Sequence, residues 1–295
     1  MKKTVFPTFE EALGTLELAI SREEHFRGLD LPTLFGQGSR IRSVRQSLIL
    51  LIAIILDHTL ENSKDLHNRL ISRLVEEEIV KNFEFLSLNY DILVDNALVA
   101  QERIFDLDYC LEFTNFDNVG QWHRPNPKNS VRLLKLHGSL NWLYCPTCRT
   151  MTLTPKDKSV CKLVTDPDAC ICSCGTLSVP IVIPPSYFKV LSNLYLQEVW
   201  NAAEQLLSKS DVWVFCGYSF PEADMHLKYL LKRVQVNSSK FRRVLVFNWH
   251  SKKKKNEAKT EENRLKRFFG SGFDLDYKRN SFEDLVSDPL TLLLR

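Results

Sequence analysis

Long apolar runs are missing from this chain. The most lipid-like stretch, residues 48–56, reads LILLIAIIL. A bilayer span needs about 20 residues, so no membrane segment is expected there, only a helix buried on most sides. The charged start Met1-Lys2-Lys3 reaches Glu10 and Glu11 before any apolar run forms, so no secretory leader is expected. Charge of one sign is also lacking. The 39 Lys and Arg against 36 Asp and Glu leave a net charge of +3, too little to argue for nucleic acid as a partner. The lysine run at residues 252–255 has no interleaved aromatics and reads as a solvated loop. Gly36-Gln37-Gly38-Ser39 has no apolar strand before it and no third glycine at dinucleotide spacing, so it reads as a loop and not a phosphate cradle. No internal repeat and no long low-complexity stretch occurs. These absences leave a soluble, cytoplasmic, globular protein with 44% apolar residues, enough for an ordinary core.

What the chain does have is concentrated in residues 131–148, VRLLKLHGSLNWLYCPTC. An apolar run typical of a buried strand ends at His137-Gly138, and a Cys-x-x-Cys pair follows at Cys145 and Cys148. A histidine just past a strand end sits where open α/β sheets bind their ligands. Residues 8–20 read as an amphipathic helix with acids in its first turn. Residues 25–42 read as loop, and 43–58 and 65–80 as two helices. Residues 83–88 are β-prone, stop at Asn89-Tyr90-Asp91 and lead into a helical 92–100, a strand–turn–helix unit. Residues 107–130 look irregular. After residues 180–185 come helix 195–208, strand 211–216, helix 222–236, strand 243–248, helix 261–269, strand 273–277 and helix 281–294. This alternation predicts an α/β fold, a mostly parallel sheet with helices on both faces.

Periodicity disappears over residues 145–179, where six of the eight cysteines fall: Cys145, Cys148, Cys161, Cys170, Cys172 and Cys174. So short an insertion is expected to lack a hydrophobic core, and a metal would substitute for one. In a reducing compartment clustered cysteines point to metal ligation and not to disulfides. Cys145, Cys148, Cys172 and Cys174 would close a four-thiolate tetrahedral zinc site with no open position, hence a structural one. Cys172 and Cys174 are the preferred second pair because Gly175 permits a tight turn after them, with Cys170 an alternative to Cys172. The expected organisation is one domain from 1–144 and 180–295, with 145–179 inserted as a zinc-ribbon-like module.

Three strands end in polar turns, at Asn89, His137 and Gly217, and in a parallel sheet those ends lie on one edge. LSLNYDILVD, LLKLHGSLNW, CPTC with CSCG, IPPSYFK and VFCGYSFPEADMHL, in that order, resemble the sirtuin-like (silent information regulator) superfamily, and within it a divergent bacterial branch. The resemblance implies a Rossmann-like NAD-binding domain carrying a small zinc module. It implies that Asn89 holds the nicotinamide ribose or the attacking water, and that Asp91 holds the nicotinamide amide. His137-Gly138 matches the catalytic His-Gly. Gly217 and Ser219 resemble the turn under ribose and phosphates, Asn248 a strand-end contact to the adenosine ribose, and Phe9 the shield over nicotinamide. Two departures stand out. The family's Asp and Arg beside that shield are Thr8 and Glu10 here. The strand and Gly-Ala-Gly-x-Ser loop that open the family do not precede Phe6; against the family this implies either a fragment or a protein that has lost tight NAD binding, and in both cases a sheet without its first strand.

The residue types suit cleavage of the nicotinamide–ribose bond. That step passes through an oxocarbenium-like state, which needs a held leaving group and an oriented nucleophile. A carboxamide such as Asn89 orients a hydroxyl without adding charge, and a histidine near its ordinary pKa can take a proton. The resemblance therefore implies NAD hydrolysis to ADP-ribose and nicotinamide, possible work in phage defence and a possible homo-oligomer or partner protein. NAD-dependent protein deacylation, and a non-catalytic zinc-stabilised protein that binds NAD or ADP-ribose, remain as alternatives.

Overall fold

The computed structural model describes residues 7–28, 40–60, 65–116, 120–154, 159–183, 193–222, 224–238, 240, 242–251 and 255–294. Phe6, the loop at 36–39, residues 184–189 of the IPPSYFK phrase and lysines 252–254 lie outside them. In chain order the elements are α1 (Phe9–Ser21), α2 (Arg40–Leu60), α3 (Leu66–Glu76), β1 (Phe85–Ser87), α4 (Leu93–Val99), β2 (Asp106–Asp108), β3 (Asn115–Phe116), β4 (Gly120–Gln121), β5 (Ser130–Lys135), β6 (Gly138–Tyr144) and β7 (Met151–Leu153). They continue with α5 (Ser159–Thr165), β8 (Val179–Val182), α6 (Leu194–Lys209), β9 (Val212–Cys216), α7 (Met225–Val236), β10 (Arg242–Phe247), α8 (Lys255–Phe269), β11 (Phe273–Lys278), α9 (Phe282–Ser287) and α10 (Pro289–Leu294). No helix among the described residues is long and apolar enough to cross a membrane.

Local chemistry places these elements. Thr8 accepts from the Glu11 amide at 3.2 Å while the Glu11 carboxylate accepts from the Thr8 amide at 2.8 Å, a reciprocal cap that starts α1. The apolar run in α2 is less covered than expected. Ile49 and Ala53 are buried, but Leu51, Ile54 and Ile55 are each 40–45% exposed; among the described residues α2 packs chiefly on α1 and α5. The closing helix splits at Asp288, where Pro289 starts α10, the first-turn position that needs no amide hydrogen.

The parallel strands form two three-stranded sheets, ordered β1-β5-β2 and β11-β10-β9. A third sheet, ordered β4-β3-β7-β6-β8, is largely antiparallel. β5 and β10 lie in the middle of their sheets and are nearly continuous in burial, as parallel strands covered on both faces should be. One apolar cluster takes in Leu133 and Leu134 of β5, Val199 and Ala203 of α6, Val244 to Phe247 of β10, and Trp142, Met151 and Ile181 of the small sheet. Strand β6 of this third sheet begins at Gly138, directly after His137 and before the first of the paired cysteines. The segment after Cys145 also has a small apolar core, which its length did not promise. Val160 and Cys170 pack with Ala53 of α2 and with Leu140 and Leu143 of β6.

Candidate active site and thiolate cluster

β1 and β5 run parallel with Ser87 opposite Lys135, so the turns that follow leave from the same edge. In the first turn the Asn89 amide donates to Ser87 Oγ at 3.2 Å, and Asp91 Oδ1 accepts from the Leu93 amide at 3.0 Å, opening α4. Asn89 is exposed, Asp91 half-buried and His137 5% exposed. His137 Nδ1 lies 3.0 Å from the Leu88 carbonyl oxygen. A carbonyl only accepts, so Nδ1 carries the hydrogen, and in the neutral ring Nε2 is the base. Trp200 donates from Nε1 to the Leu136 carbonyl at 2.8 Å, and its ring sits 6.5 Å from that of His137. The imidazole ring and the backbone just before it are thus both held.

The turn after β9 meets this edge from the second sheet. Gly217 has φ +66°, a left-handed backbone that suits glycine, and its amide donates to the Phe247 carbonyl at 2.9 Å. Asn248 donates from Nδ2 to the Tyr218 carbonyl at 2.9 Å and to Glu261 Oε1 at 3.0 Å. Glu261 Oε2 in turn accepts from Tyr277 at 2.6 Å and lies 2.8 Å from His250 Nε2. Gly217 and Ser219 are exposed. Asp224 joins the two halves: Oδ2 accepts from the Tyr218 hydroxyl at 2.8 Å, and Oδ1 stands 3.8 Å from His137 Nε2. The strand ends bearing Asn89, Asp91, His137, Gly217, Ser219 and Asn248 are therefore linked in one rim. Phe9 opens α1, which packs on α2, with 40% of its surface exposed; it is not among the residues tied to this rim.

Two members of this arrangement escaped the sequence reading. Asp224 precedes α7 where an N-cap belongs, and such an aspartate reads as a cap. Its side chain makes no capping bond and is committed to the rim. Lys135 is the one charge in the apolar run LLKLHG, a signal passed over. It is 1% exposed and lies 3.1 Å from Asp95.

The thiolates come together as expected. The Sγ atoms of Cys145, Cys148, Cys172 and Cys174 all lie within 4.8 Å of one another. Cys145 to Cys174 is 3.6 Å and Cys172 to Cys148 is 4.0 Å. Zinc–sulfur bonds of about 2.3 Å in a tetrahedron put sulfurs about 3.8 Å apart, so the four residues fit zinc. Each pair sits on a knuckle that turns through a left-handed residue, Arg149 at φ +59° and Gly175 at φ +81°. The Arg149 amide donates to the Cys145 carbonyl, and the Gly175 amide to that of Cys172, both at 2.8 Å. The Thr176 hydroxyl holds Cys174 down to about 6, while Cys148, hydrogen-bonded to Cys174, is pushed up to about 12. Cys170 is buried, and its thiol faces the Asp166 carbonyl at 3.8 Å, outside the cluster. A cleft of about 710 Å³ lined by Asp108, Phe113, Trp122, Arg124, Tyr195 and Glu198 shares no residue with the rim or the thiolates.

Comparison with known families matches residues 84–268 to the family model described as SIR2-like domain. The match covers more than half the chain and takes in both the rim and the thiolate cluster. A search of curated proteins found no match.

Proposed function

The chain belongs to the SIR2-like domain family, which implies use of NAD, and from that premise we propose that it hydrolyses NAD to nicotinamide and ADP-ribose at the rim around His137. One observation carries the reading. The Leu88 carbonyl, one residue before Asn89, faces His137 Nδ1 at 3.0 Å, which makes Nε2 the basic nitrogen of the neutral ring, 3.8 Å from Asp224 Oδ1.

In this reading the Asp91 carboxylate receives the nicotinamide amide through the oxygen not bonded to Leu93. Asn89 orients a water on the ribose carbon opposite the leaving nicotinamide. The carbon–nitrogen bond breaks, and its electron pair neutralises the pyridinium ring. The water oxygen bonds to the ribose carbon, and its proton passes to His137 Nε2. Asp224, 3.8 Å away, stabilises the imidazolium that results, then solvent takes the proton. Gly217 and Ser219 lie under ribose and phosphates. Asn248, whose Nδ2 is engaged, offers its oxygen to a hydroxyl of the adenosine ribose. Phe9, outside the rim, takes no part. Cys145, Cys148, Cys172 and Cys174 would hold a structural zinc that cross-links the two knuckles and takes no part in the chemistry.

Purified protein incubated with NAD should release nicotinamide, and Asn89→Ala and His137→Ala should each abolish the release. No release at high enzyme concentration sinks the proposal. Release that depends on an added acyl-lysine peptide would identify deacylation instead. Calorimetric binding of NAD or ADP-ribose without turnover would identify a binding protein.

A further inference from the structure

We infer that Lys135 and Asp95 form a positioning pair that holds the Asn89–Asp91 turn in place against His137. Lys135 ends β5, two residues before His137, and Asp95 lies in the first turn of α4, behind Asp91. The two side chains are 1% and 0% exposed and 3.1 Å apart. The ammonium also donates to the backbone carbonyl of Asp91. Asp95 Oδ1 accepts from the Tyr109 hydroxyl at 2.7 Å. Burial and the Asp95 charge push that hydroxyl well above its ordinary pKa, so it stays a donor.

Taking two charges out of water is costly, and an apolar trio of the same volume would often fold as well or better. A buried pair is therefore weak evidence of a stabilising role, and what this one does uniquely is geometric. The Asp91 carbonyl belongs to the turn that carries Asn89, and Lys135 belongs to the strand that carries His137. Their bond sets the distance between the two residues proposed to act on the ribose. Misplacement by about 1 Å can cost a hundredfold in rate. The inference rests on the hydrolase reading for its kinetic consequence only; the structural consequence stands apart from it.

The test is a charge-free variant, Lys135→Met/Asp95→Leu/Tyr109→Phe, which leaves no buried charge or hydroxyl without a partner and gives up one 3.4 Å contact from Asn141 Nδ2 to the Tyr109 hydroxyl. Two readouts apply. Hydrogen exchange of the peptide covering residues 88–93 should speed up at least tenfold against wild type, with the β9–β11 peptides unchanged. With NAD, kcat should fall at least tenfold while KM stays within threefold. Wild-type exchange and wild-type kcat in a folded variant would overturn the inference. If the variant does not fold, wild-type protein decides: amides 89–93 should be as slow to exchange as those of β5, and exchange a hundredfold faster would refute the pair's role. If wild type releases no nicotinamide, the hydrolase reading falls, and the exchange comparison alone judges the pair.

Discussion

Gly138 explains in physical terms why the histidine is followed by glycine. Its φ is +83°, and a Cβ there would lie 1.9 Å from the Ile181 carbonyl oxygen, where strand β8 passes. Gly138→Ala should cost about 1–3 kcal/mol from the left-handed backbone alone, with the overlap added. Chemical denaturation measures this, and wild-type stability would contradict it. Asp224 lends itself to a milder change. Asp224→Asn keeps a hydrogen-bond acceptor for Tyr218 but removes the negative charge facing His137. Nicotinamide release should fall about 10- to 100-fold, with KM and melting temperature little changed. An unaltered kcat would remove Asp224 from the mechanism. Asn89 and His137 were legible in the sequence because each follows an apolar run and stands where a strand must end. Asp224 was not, since an aspartate before a helix has an ordinary explanation and only its coordinates show that it does not cap. Phe9 was named by resemblance alone, with no spacing behind it.

At the scale of elements, pattern length decided what could be read. Helices of three or more turns and strands in apolar runs were visible. The two-residue strands β3 and β4 were not, because so short a segment shows no alternation within the irregular stretch 107–130. β6 is a different case: its polar residues Ser139 and Asn141 alternate with Leu140 and Trp142 but are buried too, so the usual wet face of a strand is missing. The knuckles were legible in the cysteine spacing, and the second also in the glycine after its pair, which announces the turn that Gly175 makes. They carry a direct prediction. Cys148→Ser should lower bound zinc from about one per chain to well below half, by elemental analysis, since three thiolates leave an open position. Retention of a full equivalent would show that the four thiolates are not the ligand set. Arg242, opening β10, gives a second element-scale case. It is 1% exposed and donates to the Ser208 and Ser210 carbonyls at the end of α6, to Lys240 and to Ser238, with Trp213 5.3 Å beneath it. Arg242→Met removes all four hydrogen bonds, whose acceptors lie on half-buried or exposed residues, and should destabilise the fold by about 1–2 kcal/mol, measured as a shift in urea midpoint without a change in slope.

At the scale of the whole molecule, the question is whether the thiolate segment behaves as a separate unit. Its cysteines hang from β6 and from the turn before β8, and those strands do not stand alone. Trp142, Met151, Leu153, Ile181 and Ile183 lie in the same apolar cluster as the strands of both parallel sheets. α5 closes over β6 against Ala53 of α2. Loosening the knuckles therefore withdraws apolar surface from a shared core, and the cost spreads over the chain. A chelator should lower a single calorimetric transition, and should not split off an early one. For a chain of this size each kcal/mol lost moves the midpoint by about 2–4 °C, so a drop of at least about 5 °C is expected. The proposed active rim should suffer with it, because His137 joins β5 directly to β6: nicotinamide release should fall as metal is removed although no thiolate touches the rim. Two resolved transitions, with release intact after the first, would mean that the small sheet unfolds on its own and that the core shared through Trp142 does not bind the halves together.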